Sequence, residues 1–265
     1  MARPTVADIR ALKGKRQLSM LFVDTLDEAA AAAAAGIDML SIVDHVWTPE
    51  MREAAGDCFV QVGFVPGDQV TTEDYLRATH AAIRIGGDSC YCAAGLPTIR
   101  ALAAEGIPVV GHVGLIPSKN TWTGGFRAVG KDAVSALKVW EDVKALEAAG
   151  CFGAELEVVP DRVSAEITRR TSLIMLGMGA GSGADAQYLF AEDVLGYTRG
   201  HKPRHAKTYR NFRAELDRLQ HERIAAFGEF RADVERGTYP GAEHVVPIED
   251  GEFAAFMAGI ETRPG

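Results

Sequence analysis

Asp24, Asp44, His45, His112 and Glu157 each stand at the end of a short apolar run. Glu157 lies inside such a run, directly before Val158-Val159-Pro160. A carboxylate among apolar neighbours must be paired or have its pKa raised, and a raised pKa suits a general base. His112 reads either as a satisfied buried histidine or as a proton donor or orienting group. Asp24, just ahead of Thr25 and Asp27, reads first as a helix cap. Two glycine-rich segments accompany these groups. Leu176 to Gly181 (LGMGAG) has the spacing G-x-G-x-G, not the G-x-G-x-x-G of a dinucleotide loop, and no acidic residue is placed for a ribose. It reads as a tight loop, with Gly179 at its centre, that lets a ligand approach the backbone. Gly124-Gly125-Phe126 falls in the long stretch 113–130 after His112, and stretches of this length in compact folds are often lids.

One pattern must position these groups. Helical stretches end in Ala and Gly and pass into apolar runs, at 27–45, 78–95, 101–112 and 142–160. Each Gly sits where a helix C-terminus needs a left-handed residue. The apolar runs suit strands buried on both faces, near 18–23, 38–43, 88–94, 107–111, 153–158 and 173–178, with a weaker one near 189–196. Strands alternating with helices predict a parallel α/β fold, and the unbroken series favours a TIM-like (β/α) barrel with seven visible strands. In that fold the strands' carboxyl ends build the active site. After residue 200 charge-rich helices are expected, and the basic start, His201 to Arg210, reads as a solvated helix entrance. No interdomain linker is visible, so residues 1–265 read as one barrel domain with 200–245 as its C-terminal helical segment.

Composition narrows the function. Apolar residues make up 47% and charged residues 24%, which excludes a disordered or collagen-like chain. The formal net charge of −8 argues against a nucleic-acid surface, which needs clustered Lys and Arg. No run approaches a membrane span and no signal peptide is visible, so a cytoplasmic protein is expected. Cys58, Cys90, Cys92 and Cys151 read as buried free thiols.

The sequence resembles the ketopantoate hydroxymethyltransferase family, of the phosphoenolpyruvate-mutase and isocitrate-lyase group. The resemblance rests on Ile107 to Lys119 (IPVVGHVGLIPSK), Gly124-Gly125-Phe126, Ala145 to Gly150 (ALEAAG), Leu156 to Pro160 (LEVVP) and Leu176 to Gly181. Lys202 to Lys207 (KPRHAK) and Val234 to His244 (VERGTYPGAEH) complete it. It implies an aldol-type hydroxymethyl transfer from 5,10-methylenetetrahydrofolate to a 2-oxo acid, helped by a divalent metal, usually magnesium. It implies Glu157 as base, His112 as the active-site histidine and Asp44 as metal and substrate ligand. It also implies a homo-oligomer, commonly a decamer, with C-terminal helices swapped between subunits.

The departures are equally specific. His45 stands where the family has a substrate-binding serine. The stretch 47–68 reads as an insertion. Cys90 to Thr98 (CYCAAGLPT) resembles the family's Ala-Asp-Leu-Pro-Phe segment, with Gly95 at its metal Asp. In that alignment the next unit, carrying Lys-Ile-Glu-Gly-Gly, is missing. A second alignment puts Tyr91 at that lysine and Ala93 at the metal glutamate. Both remove two metal carboxylates, and an imidazole-bound metal such as zinc becomes the alternative to magnesium. Two further readings stay open: a diverged C–C lyase or one-carbon transferase without the usual magnesium site, and a non-catalytic ligand-binding homologue.

Overall fold

The computed structural model describes residues 3–262. The first compact unit, up to Asn211, is a closed barrel of eight parallel strands in sequential order. The strands are β1 (Leu18–Phe22), β2 (Met39–Val43), β3 (Phe59–Gly63), β4 (Ser89–Tyr91), β5 (Val109–Gly114), β6 (Gly153–Glu157), β7 (Ile174–Met178) and β8 (Ala186–Phe190). Around them run α1 (Val6–Ala11), α2 (Leu26–Ala34), α3 (Pro49–Ala54), α4 (Thr72–Ile85), α5 (Leu96–Ala104), the short α6 (Asn120–Thr123), α7 (Ala133–Ala148), α8 (Asp161–Arg170) and α9 (Ala191–Leu195).

The eighth strand corrects the expectation of a missing unit. The stretch 47–68 is no insertion, because it holds α3 and β3. β3 is hard to see because Gln61 interrupts its apolar run, yet all five of its residues are buried. By strand order Cys90 to Thr98 belongs to β4 and α5, so the alignment with Tyr91 at the family's lysine is the one that fits. The weak run near 189–196 is the end of β8 followed by α9. It is displaced because β7 and β8 are joined without a helix, by residues 179–185. Parallel neighbours usually need about a dozen connecting residues. Here the glycine-rich segment makes the return.

Local chemistry sets the element ends. Thr25, Thr48 and Thr71 each accept the amide three residues on, capping α2, α3 and α4. Thr25, not Asp24, is therefore the cap of α2. Gly36, Gly106 and Gly150 follow their helices with positive φ, as expected.

Strand side chains alternate between two environments. Leu40, Ile42, Val60, Val62, Val109 and Leu156 face the helices and form the outer core. Inside, a lower layer of Met20, Met39, Phe59, Val110 and Ile174 fills the barrel, and Ile9 of α1 packs against it. The four cysteines are free and buried. At the strands' amino ends three aspartates repeat one device. Asp38, Asp88 and Asp185 immediately precede β2, β4 and β8. Each accepts an amide of the preceding strand: Ser19 at 2.8 Å, Val60 at 2.8 Å and Met175 at 2.9 Å. Each also pairs with a cation: Arg16 at 2.6 Å, Arg3 at 2.9 Å and Lys13 at 2.6 Å.

The second unit, from Phe212, contains α10 (Phe212–Arg236) and α11 (Asp250–Thr262). The pairs Arg218–Glu215, Arg231–Glu235 and Arg236–Asp233 brace α10. Leu216, Leu219, Phe227 and Phe230 on α10 and Phe253 and Phe256 on α11 are exposed. The expected helix entrance at His201 to Arg210 is instead irregular chain of the first unit. No helix among the described residues is long and apolar enough to cross a membrane.

Candidate functional site

Above the apolar layer the barrel interior turns polar. Ser41, Gln61, Tyr91, His112, Glu155 and Tyr188 come from six different strands and line one cavity or its floor. Gln61 donates from Nε2 to Glu155 Oε1 at 2.8 Å. Glu155 Oε2 lies 3.3 Å from His112 Nδ1, and Glu157 Oε2 lies 3.3 Å from His112 Nε2. The Tyr91 hydroxyl is 2.8 Å from Nδ1. The Leu115 carbonyl is 2.8 Å from Nε2, and a carbonyl can only accept, so Nε2 carries hydrogen. Among the described residues no lysine or arginine is paired with either glutamate. Burial pushes the Glu155 carboxyl up to about 7, against the opposing pull of His112 and Gln61, with Glu157 adding to the rise. Burial, with Glu155 and Glu157 nearby, raises the Tyr91 phenol far above its ordinary range, so it stays a neutral donor.

The backbone holds Glu157 tightly. Val158, the next residue, has φ 49°, a left-handed conformation rare for a β-branched side chain. It is locked by Val158 N donating to Met178 O at 2.8 Å and by Val129 N donating to Val158 O at 3.1 Å. Such strain costs about 1–3 kcal/mol and gathers at functional sites. On the neighbouring strand Gly114 has φ 85°, and a Cβ there would sit 2.4 Å from the Glu157 carbonyl oxygen. Only glycine allows β5 to approach β6 so closely at this point.

The cavity has a volume of about 1240 Å³ and opens at the strands' carboxyl ends. The stacked rings of Phe22 and Phe190, 4.8 Å apart, form one wall, and Phe126 and Pro117 from the stretch after β5 form part of another. His112, Glu157 and Gly179 all line it. Gly179 faces the ring of His205, which a Cβ would meet at 2.7 Å. His201, Arg204 and His205 border the cavity, so part of the basic segment serves the barrel mouth. Asp44 and His45 sit on a single 3-10 turn after β2 and are not among the lining residues. His45 is exposed, and His80 is exposed on α4. A smaller cavity of about 470 Å³ at the opposite end is bordered by Arg3 and Asp88, which pair with each other.

The donor set does not fit the metal that the resemblance implies. Asp44 has a buried Oδ1 without a hydrogen-bond partner, as a metal ligand would. Yet β3 brings no carboxylate, and β4 brings Tyr91 followed by Ala93. Among the described residues no three His, Cys, Asp or Glu side chains converge to hold an ion. Magnesium dehydrates reluctantly and needs charged oxygen ligands, while a catalytic zinc takes three protein ligands. Asp44 offers one charged oxygen, but no three-ligand group forms around it among the described residues, so neither ion is well held.

The sequence reading had missed Glu155, Gln61 and Tyr91 as one cluster. Glu155 carried a usable signal, because it stands two residues before Glu157 and alternate strand residues share a face. Gln61 carried none, since its partner lies 94 positions away.

A sequence model of the ketopantoate hydroxymethyltransferase family matches residues 70–242. The 3-methyl-2-oxobutanoate hydroxymethyltransferase of Nitratidesulfovibrio vulgaris (strain DP4) is 32% identical, over 98% of this chain and 90% of that one. The protein of the same name from Syntrophobacter fumaroxidans (strain DSM 10017 / MPOB) is 33% identical, over 98% and 99%. Among solved structures, a putative lyase/mutase from Burkholderia cenocepacia J2315 aligns with a TM-score of 0.52 at 12% identity, covering 98% of this chain and 96% of that one. A putative phosphonomutase from the same organism reaches 0.52 at 17% identity, over 66% and 83%. These last two share the fold. With its barrel, its order of motifs and relatives that span nearly its whole length, the chain belongs to the ketopantoate hydroxymethyltransferase family of transferase enzymes, as a divergent member.

Proposed function

We propose that this protein transfers a hydroxymethyl group from 5,10-methylenetetrahydrofolate to a 2-oxo acid, with 3-methyl-2-oxobutanoate as the first substrate to try. The observation that carries the reading is Glu157, fixed at the cavity wall by a strained residue and in contact with His112 Nε2. Glu157 takes the proton from the carbon next to the keto group, leaving an enolate. Water adds to the one-carbon unit as both of its bonds to folate nitrogens break, each nitrogen taking one of the water's protons, so tetrahydrofolate leaves and formaldehyde remains. The enolate carbon then bonds to the formaldehyde carbon, whose oxygen takes the proton back from Glu157 and becomes the new hydroxyl. His112, oriented by Leu115 and Tyr91, positions Glu157 for this removal. Gly179 and the Phe22–Phe190 wall border the substrate space. Asp44 and His45, on the turn directly after the cavity-lining Val43, are proposed as substrate-binding residues. No step runs through a metal, because the donor set does not fit one.

The missing carboxylate set favours a second reading: the same base serving a C–C lyase or a one-carbon transfer with another substrate. Incubation with 3-methyl-2-oxobutanoate and methylenetetrahydrofolate, with product followed by mass spectrometry, separates the two. Ketopantoate formed by the wild type and lost in Glu157→Gln supports the first reading. Its absence, with a carbonyl compound cleaved instead, supports the second. We also assign the protein to a homo-oligomer built on the exposed apolar side chains of α10 and α11, and sedimentation velocity tests this.

A further inference from the structure

Two hydrogen-bond donors compete for one lone pair inside the cavity. His112 Nε2 is committed to the Leu115 carbonyl, so Nδ1 offers a single acceptor site. The Tyr91 hydroxyl lies 2.8 Å from it and Glu155 Oε2 lies 3.3 Å from it. When Glu155 is ionised it has no hydrogen to give, and the Tyr91 hydroxyl donates to Nδ1. When a proton lies between Glu155 and Nδ1, on either atom, the lone pair is filled. The Tyr91 hydrogen is then released, and Tyr91 lines the cavity.

We propose that Glu155 gates Tyr91: a proton shared by Glu155 and His112 frees the Tyr91 hydroxyl to donate to a ligand oxyanion in the cavity. The proposal rests on reading that cavity as an enolate site. Tyr91 then supplies hydrogen-bond stabilisation where the family's metal carboxylates are missing, as a donor aimed at developing negative charge. Glu155 and His112 are positioning residues, and Tyr91 is the group that touches the ligand.

The geometry supports this assignment in three ways. Glu155 is only 5% exposed, and its second oxygen is taken by Gln61, so Oε2 has Nδ1 as its partner. Burial pushes this carboxyl up to about 7, which places the change of state near neutral pH. The groups around it are Gln61 on β3, Tyr91 on β4, His112 on β5, Glu157 on its own strand and Tyr188 on β8. None of these is a lysine or arginine that would keep Glu155 ionised.

The test uses the full chain, a chelator and oxalate, a stable mimic of a 2-oxo acid enolate, with binding read by calorimetry from pH 5.5 to 8.5. Wild type is expected to bind oxalate without added metal and to weaken about tenfold or more as pH rises through 7, the loss of one hydrogen bond to a charged ligand. Glu155→Gln keeps a permanent N–H donor toward Nδ1, so its binding should stay tight above pH 7 and change far less with pH than that of wild type. Glu155→Leu removes the donor, so Nδ1 captures Tyr91 and binding should be weak throughout, as in Tyr91→Phe. His201 and His205 line the same cavity in every variant, so the gate is read from the difference between wild type and variant. A pH dependence in Glu155→Gln as steep as that of wild type overturns the gate. So do equal affinities for wild type and Tyr91→Phe, oxalate binding only with magnesium, and no binding to the wild type at millimolar oxalate and pH 6. Turnover plays no part in these measurements, so a failed transfer assay with intact oxalate results counts against the proposed function and leaves the gate supported.

Discussion

The two ends of the barrel partner their buried acidic side chains in different ways. At the amino ends Asp38, Asp88 and Asp185 each receive a strand amide and a cation. Burial opposes the charge on Asp38, but the Arg16 and Ser19 bonds win and hold its pKa below the ordinary range, whereas at the more buried Asp88 burial prevails over Val60, Arg3 and Arg52 and raises it. At the carboxyl ends Glu155 and Glu157 share one histidine and no cation. Burial there outweighs the opposing pull of His112 and Gln61, and the Glu155 carboxyl rises to about 7. The lower end uses its charges to pin strand to strand. The upper end holds charges that can change state, as proton transfer requires.

Mutations at each end should break this contrast in different observables. The largest effect is expected from Glu157→Gln, which removes the base with little change in shape. Transfer should fall by about 10²–10⁴-fold while the melting temperature stays near that of wild type. At the lower end Lys13→Met leaves Asp185, 8% exposed, without its cation. Breaking a buried pair this way costs about 3 kcal/mol, or roughly 6–12 °C in melting temperature. The turnover of the protein that remains folded should be unaffected.

Glu155→Gln should do the reverse of Lys13→Met. Glu155 has a raised pKa in the folded state, so the native state binds more protons than the unfolded state between the two pKa values. Stability must then fall as pH rises across that window, from the ordinary carboxyl value near 4.5 to about 7. The variant should match wild type below pH 4.5. Above pH 7 it should be the more stable protein, by up to about 3 kcal/mol, as thermal melts at pH 4.5 and pH 8 would show. The smallest change in stability is expected from Val158→Gly. Relief of the left-handed strain and loss of the side chain nearly cancel, leaving less than about 1 kcal/mol. Both backbone hydrogen bonds of residue 158 remain in this variant, but glycine widens the backbone's choices beside Glu157, and turnover should fall by about tenfold because small misplacements near the reacting atoms are costly.

Much of this was legible before the fold was known, for identifiable reasons. Glu157 and His112 stood out because a charge inside an apolar run needs an explanation, and the structure puts both on the cavity wall. The helix ends at Gly36, Gly106 and Gly150 were equally clear, since few residues but glycine take that backbone shape. β3 was hidden because Gln61, polar and fully buried, makes sense only beside Glu155 from a distant strand. β8 was misplaced because a helix was expected between it and β7, and the chain makes that return with glycines. The floor aspartates passed unnoticed because pairs such as Lys13 with Asp185 span 172 positions. Nothing local announces the positive φ of Val158, which follows from how β6 packs on its neighbours.

The central claim is that Glu157 performs carbon-acid chemistry in a cavity where its charge is paired with His112 and not with a lysine, an arginine or a three-carboxylate metal site. Hydrogen–deuterium exchange at the carbon next to the keto group of 3-methyl-2-oxobutanoate, followed by proton NMR in heavy water with a chelator present, tests it without the folate. Wild type should exchange, and Glu157→Gln should be slower by about 100-fold or more. Equal exchange in the two proteins, or exchange in wild type only after magnesium is added, would contradict the account.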